Sequence, residues 1–389
     1  MKRVFAALMA LVAPAVAHAS CDAASQYTFA FANQPAATLN YGSTYSYTAV
    51  SSAGASLPFS VAIAQNGLSS TAIANTQMPA IGTLITGPDA TKRDLVFGGI
   101  FAGRTTDLTS GTRVITVTFT FPTPIRDFSV VTHDIDFTLN QYRDWIMITG
   151  ASGATTYTPV LTTPWGNGNG ATAPRTATGS ALAAGATTAP VTLAATQAAG
   201  TGASNNNSDD GTITATFAQP VTTVVLRYGN YPLQSGENAT GQQGAGIASI
   251  SACPMPSLSV TKASAPRSGN LGAYNVPGTD VVYVFSVSNT GNSPVDPGTI
   301  ILTDIFPAGI TYLNTNFDGA TALPVKLVSG TSGVTLAAAN ISYSNDKGAS
   351  WSYAPSSGYD PLVNGIRIIP SGTMAANSNF TLSFAASIK

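Results

Sequence analysis

The stretch RVITVTFTF (113–121) alternates Ile115, Val117, Phe119 and Phe121 with Thr116, Thr118 and Thr120. A period of two puts one set on each face of an extended strand, whereas a helix would need apolar residues three and four apart. The alternation returns in DVVYVFSVSN, with Val281, Tyr283, Phe285 and Val287 on one face. It returns again in NFTLSFAASIK, where Phe380, Leu382, Phe384, Ala386 and Ile388 oppose Thr381, Ser383, Ala385 and Ser387. Composition agrees. Only 8% of residues are charged, Glu237 is the single glutamate, and Thr, Ser, Gly, Ala and Asn stand where exposed helix faces would carry Glu and Lys. The chain is therefore expected to be all-β.

The first nineteen residues, MKRVFAALMALVAPAVAHA, have a basic start, an apolar middle and a small-x-small end, the pattern of a secretory signal peptide. Cleavage is expected after Ala19, giving an exported protein that is secreted or held at the cell surface. Lipid anchoring at Cys21 is not expected, because His18 stands where a lipoprotein signal carries an aliphatic residue. No later segment is long and apolar enough to suggest a transmembrane helix. Loss of Lys2 and Arg3 leaves 14 of the 16 basic residues against 17 acidic ones, a net charge of −3 with no basic run, which speaks against nucleic acid as a partner.

Cys21 and Cys253 are the two cysteines of the chain, and in an oxidising compartment they are expected to pair. Pairing requires Cα atoms roughly 6 Å apart, so the first and last strands of one domain must meet. This sets a first domain at 20–253, a stiff Pro-Met-Pro linker at 254–256 and a second domain at 257–389. Within the first domain, RVITVTFTF leads through a PTP corner into RDFSVVTHDIDF, and GTITATFAQPVTTVVLRYG repeats that scheme, as paired strands of a β-sandwich do. Residues 162–210, rich in Gly, Ala, Thr and Asn, are expected to be long loops around one or two short strands. In the second domain, short strands at regular spacing predict an immunoglobulin-like β-sandwich.

The second domain also resembles a known family. PSLSVTKASAP, PGTDVVYVFSVSNTGNSPV and LTDIFPAGITYL occur in that order. They look like the lysine-bearing first strand, the strand ending in Asn-Thr-Gly and the Thr-Asp-x-x-Pro-x-Gly turn of the conserved-repeat domain of bacterial surface proteins, called domain of unknown function eleven. The resemblance spans about 257–389 and implies an extracellular immunoglobulin-like stalk, spacer or adhesion module with no catalytic residues to carry over. The first domain resembles, in general pattern, the jelly-roll lectin-like sandwiches of secreted bacterial proteins.

Several constellations bear on chemistry. VTHDIDFTLNQYRDW gathers His133, Asp134, Asp136, Arg143 and Asp144 in a chain otherwise poor in charge. Read as a strand, 131–137 puts His133 with Val131, Ile135 and Phe137, and turns Asp134 and Asp136 to the wet side. With His18 removed, His133 is the only histidine, so a multi-histidine metal site is excluded, and no Gly-x-Ser-x-Gly elbow accompanies it. It is read as a histidine hydrogen-bonded at a strand end. Asp134, Asp136 and Asp144 are candidate Ca²⁺ ligands, calcium being the one cofactor considered, and equally candidate glycosidase carboxylates. Otherwise they solvate a sheet edge.

SNDKGASW (344–351) fits the Asp-box pattern and is read as a hairpin turn shaped by Asp346 and Gly348, with Trp351 packed beneath it. Lys262, Asp304 and Asn379 are candidates for an isopeptide crosslink in which a desolvated lysine attacks the asparagine beside a buried acid. Among the aromatics Tyr142, Trp145, Trp165, Tyr228 and Tyr231, the loop residues Trp165 and Tyr231 are the candidates for stacking on a sugar ring. The resulting expectation is a non-enzymatic structural or adhesive protein whose first domain binds an extracellular glycan or surface protein. The alternative is a secreted carbohydrate-active hydrolase using the aspartates at 134–144.

Overall fold

The computed structural model describes residues 21–389 except 139–141, 163–174, 178–190, 201–202, 232–240, 268–273, 275 and 319–321. The fold is all-β, 54% strand and 2% helical, with multiple antiparallel sheets of the β-sandwich class. It divides into two compact units, one spanning Cys21–Met255 and the other Pro256–Lys389.

The first unit is framed by β1 (Tyr27–Ala30), β2 (Ser43–Val50), β3 (Ser56–Asn66), β4 (Asp94–Phe101), β5 (Val114–His133), β6 (Tyr142–Ser152), β7 (Ile213–Thr216), β8 (Val221–Asn230) and β9 (Gln242–Cys253). The alternation read in RVITVTFTF is the inner face of β5: Ile115, Val117 and Phe119 have no exposed surface and Phe121 has 3%. The PTP corner does not end this strand. The twenty residues run on, and the register shifts between Thr120 and Ile125. Before the shift β5 pairs with β3 and β8; after it, one further rung joins Ile125 to Val221 of β8, and β5 then pairs with β7 and β9. A single strand thus passes from one layer of the sandwich to the other.

The opposite side closes through β1, which pairs with β9 (Tyr27 opposite Ala252) and with β2 (Thr28 opposite Val50). The pairings β5–β3–β2–β1–β9–β5 therefore form a closed circuit. An aromatic core fills it, with Phe29, Phe59, Phe119, Phe121, Phe128 and Phe217 in one buried cluster. The disulfide Cys21–Cys253, Cα atoms 5.8 Å apart, ties the entry of β1 to the end of β9. In the 162–210 segment the described residues include short strands at Arg175–Ala177, Val191–Leu193 and Gln197–Ala199.

The second unit has two facing sheets. One orders β10 (Leu258–Pro266), β11 (Asp280–Asn289), β16 (Ser378–Ile388) and β13 (Ile310–Asn314); the other orders β12 (Leu302–Ile305), β15 (Gly365–Ile368) and β14 (Ile341–Ser344). The alternation in DVVYVFSVSN and NFTLSFAASIK is again core on one side. Phe285, Val287, Phe380, Leu382 and Phe384 share a buried cluster with Leu302, Ile366 and Ile368 of the facing sheet.

Candidate functional site

The strongest site in the first unit lies where two strands end on either side of a third. His133 closes β5, Asp94 opens β4, and β9 runs between them with Gly246 opposite His133 and Val96. His133 Nδ1 and Asp94 Oδ2 are 2.7 Å apart, with residue exposures of 8% and 1%. The pair reaches across a whole strand because Gly246 has no side chain: a Cβ there would stand 2.5 Å from Asp94 Oδ2. Gly87, at φ +60°, lies on the imidazole, and a Cβ there would come within 2.6 Å of both ring nitrogens. Backbone on one side and a carboxylate at one edge fix the ring. With Nδ1–H donating to the Asp94 carboxylate, a neutral ring would turn its lone pair out on Nε2.

This pair lines a cleft of about 520 Å³. Ala30, Ala32, Val131 and Ala248 supply apolar surface, and Arg93, His133, Thr212 and Ser249 supply polar groups. Arg93 is held by the backbone, donating from Nε to Gln34 O (2.8 Å) and from Nη2 to Ala32 O (3.0 Å). Thr212 is only 8% exposed, and its hydroxyl has no hydrogen-bond partner among the described residues. A buried hydroxyl without a partner forfeits about 1–3 kcal/mol. A second depression, of about 450 Å³, is bordered by Tyr47, Pro58, Phe59, Phe121 and Pro122. It holds no charged side chain. The convergence of polar groups makes the His133 cleft the better site.

The aspartates of 134–144 are not on a wet face. Asp134 has φ +64°, the left-handed region, so β5 stops at His133 and the chain turns instead of continuing as a strand to Phe137. Loops then cover the turn: Ile135 N–H donates to Gly211 O (2.9 Å) and Gly200 N–H to Asp144 O (3.0 Å). Side chains at Gly200 or Gly211 would collide with the backbone of Asp136 or Asp134. Asp134, Asp136 and Asp144 are consequently 6%, 1% and 0% exposed. Asp144 accepts from Tyr228 Oη (2.5 Å) and Gln243 Nε2 (3.2 Å) on Oδ1, and from Asp136 N (3.1 Å) on Oδ2. Ser204 donates from N to Asp136 Oδ2 (2.9 Å) and from Oγ to Asp134 Oδ1 (3.2 Å).

Burial, reinforced by the Asp136 charge, raises the Asp134 pKa to about 7; burial raises Asp136 to about 6 and Asp144 well above the usual carboxylate range. Tyr228 is likewise raised well above its ordinary value by burial and by Asp144, which keeps it a donor. Calcium needs ionised oxygens turned to one centre. Among the described residues no three His, Cys, Asp or Glu side chains are placed to hold a metal ion. None of these three aspartates borders the His133 cleft. The expectation that Asp134 and Asp136 solvate a wet sheet edge is therefore corrected: with Asp144 they form a buried polar cluster.

Tyr231 does not present itself to a sugar. It is 3% exposed and packs edge-on against Trp145, ring centroids 5.0 Å apart, with Arg143 also close to its ring. Trp165 lies outside the described residues. In the second unit Lys262 Nζ is 2.6 Å from Asp304 Oδ2 and 4.5 Å from the Tyr283 ring centroid. Asn379 is exposed and pairs with Ser288, whereas Lys262 stands opposite Phe285. Three rungs, about 10 Å along the strand, separate them, so lysine and asparagine do not meet. The pair Lys262–Asp304 is an ion pair joining the two sheets.

The SNDKGASW stretch is a turn: Asp346 accepts from Ser344 Oγ (2.6 Å), Ser350 N (2.9 Å) and Ser350 Oγ (2.6 Å), and these bonds lower its pKa to about 2.

Asp94, Arg93 and Thr212 were not singled out from the sequence. A signal existed, since PDATKRD (88–94) places Asp89, Lys92, Arg93 and Asp94 within seven residues of a chain that is 8% charged. No protein-family model matches the chain, and no curated protein matches it significantly.

Proposed function

We propose that this is an exported, non-enzymatic protein of the cell surface or extracellular space, whose first unit binds a hydroxyl-rich ligand, a glycan, in the His133 cleft. On this reading the first unit is a jelly-roll-like sandwich and the second an immunoglobulin-like structural module. The observation that carries the proposal is a locked His133–Asp94 pair and a backbone-held Arg93 lining one cleft with Thr212 and Ser249. Such a set offers donors and an acceptor at fixed positions, which suits the paired hydroxyls of a sugar. The signal-peptide pattern, the Cys21–Cys253 bond and the resemblance of 257–389 to surface modules support the location. No helix among the described residues is long and apolar enough to cross a membrane.

A glycan array followed by calorimetry tests this. Binding by the native chain is expected, weakened about tenfold or more by Arg93→Ala, with the glycan recovered intact. Sugar release that His133→Ala abolishes would establish the hydrolase reading instead, and an array with no binder would remove the cleft's assigned role.

A further inference from the structure

We infer that β10 is the surface through which two copies of this chain pair, edge to edge, in an antiparallel register centred on Val260. β10 is the outermost strand of its sheet and pairs along its length with β11 alone. Residues 258–265 are all exposed, and Leu258 and Val260 are 45% and 50% exposed. Long edges are normally guarded by outward charge, a bulge or an internal proline, because their unpaired N–H and C=O groups template a further strand. β10 has no such guard. Its one charge, Lys262, is drawn inward onto Asp304 of the facing sheet, and its one proline, Pro266, is the last residue.

The occupant is set by how the strand matches itself. A two-fold axis normal to the sheet pairs residues whose numbers sum to an even value and keeps the core faces of both copies on the same side. Centred on Val260, it sets Val260 on Val260 and Leu258 against the aliphatic stem of the other Lys262, with five strand residues of each copy paired. Centred on Lys262, it would oppose two like charges, which disfavours pairing. Of the registers that pair more than one strand residue of each copy, the Val260 register is the one that sets a large exposed apolar side chain on its own copy while keeping the lysines apart; centred on Ala263 the axis would join only alanine to alanine. Added strand pairing buries little surface compared with a permanent dimer, so association is reversible and follows protein concentration.

The test is sedimentation of the full chain over a dilution series. A monomer–dimer equilibrium is expected, weakened about tenfold or more when Val260→Lys sets two lysines across the axis, and restored when Val260→Lys and Val260→Glu chains are mixed. Val260 is exposed, so these changes leave the core untouched. The described residues include no free cysteine, so Val260→Cys introduces one thiol and should yield a disulfide-linked dimer under mild oxidation. A chain that stays monomeric at every concentration overturns the inference. So does a dimer indifferent to charge at position 260, or a Val260→Cys chain that does not crosslink. A foreign extended peptide as the true occupant would give the first of these results.

Discussion

Asp94 and His133 meet across a strand to which neither belongs, over the one position, Gly246, where β9 carries no side chain. The contact therefore depends on a third residue that takes no part in it.

Gly246→Ala is expected to push the Asp94 carboxylate off the imidazole, since the added methyl would sit 2.5 Å from Oδ2. Overpacking of this kind costs about 1–3 kcal/mol. Urea unfolding should show the loss, and the imidazole Nδ1–H resonance should lose its downfield position. An unshifted resonance would mean that the pair does not need the gap.

Thr212→Val should act in opposite directions on stability and binding. The hydroxyl is buried without a hydrogen-bond partner among the described residues, so an isosteric methyl is expected to stabilise the free protein by about 1 kcal/mol. If a ligand atom satisfies that hydroxyl, affinity falls by about fivefold to tenfold in the same variant. Thermal melts and calorimetry on one preparation read both effects.

Stability should decline as the solution is made less acidic across the range where unfolded carboxyls have already ionised. Asp134 and Asp136 keep their protons in the folded state up to about pH 7 and 6, and burial raises Asp144 well above the ordinary carboxylate range, against 3.8 when unfolded. Between about pH 4 and 6 the native chain binds more protons than the unfolded one, so each such group lowers stability by roughly 1.4 kcal/mol per pH unit as pH rises. Asp144→Asn removes one of them and should flatten the profile by about that slope. A profile unchanged by the substitution would show that Asp144 titrates normally.

Cys253→Ser is expected to destabilise the first unit by about 2–5 kcal/mol, because the bond closes a loop spanning 232 positions. Comparing melts of the oxidised native chain with those of the variant checks this. Equal stability would mean that the strand circuit alone holds β1 in place.

The period-two pattern made the core strands legible, because Ile115, Val117 and Phe119 are buried by local alternation alone. The aspartates misled for a physical reason. Asp134 adopts a left-handed conformation that breaks the alternation, and the covering residues, Gly200, Ser204 and Gly211, lie some sixty to eighty positions downstream. Nothing local announces that a distant loop will fold over a charged turn. The His133–Asp94 pair was hidden in the same way, since it follows from the register of three strands. Tyr231 was misjudged because a Gly- and Asn-rich neighbourhood suggested exposure, whereas β8 delivers the ring directly onto Trp145.

At the cell surface that the proposed function assigns, load on the chain would enter at its ends. In the first unit both ends leave at the sulfurs: Cys21 precedes β1, Cys253 finishes β9, and their Cα atoms are 5.8 Å apart. Tension entering at one cysteine leaves by the other through a covalent link, so the sandwich between them carries no load and the cleft at His133 keeps its shape under shear.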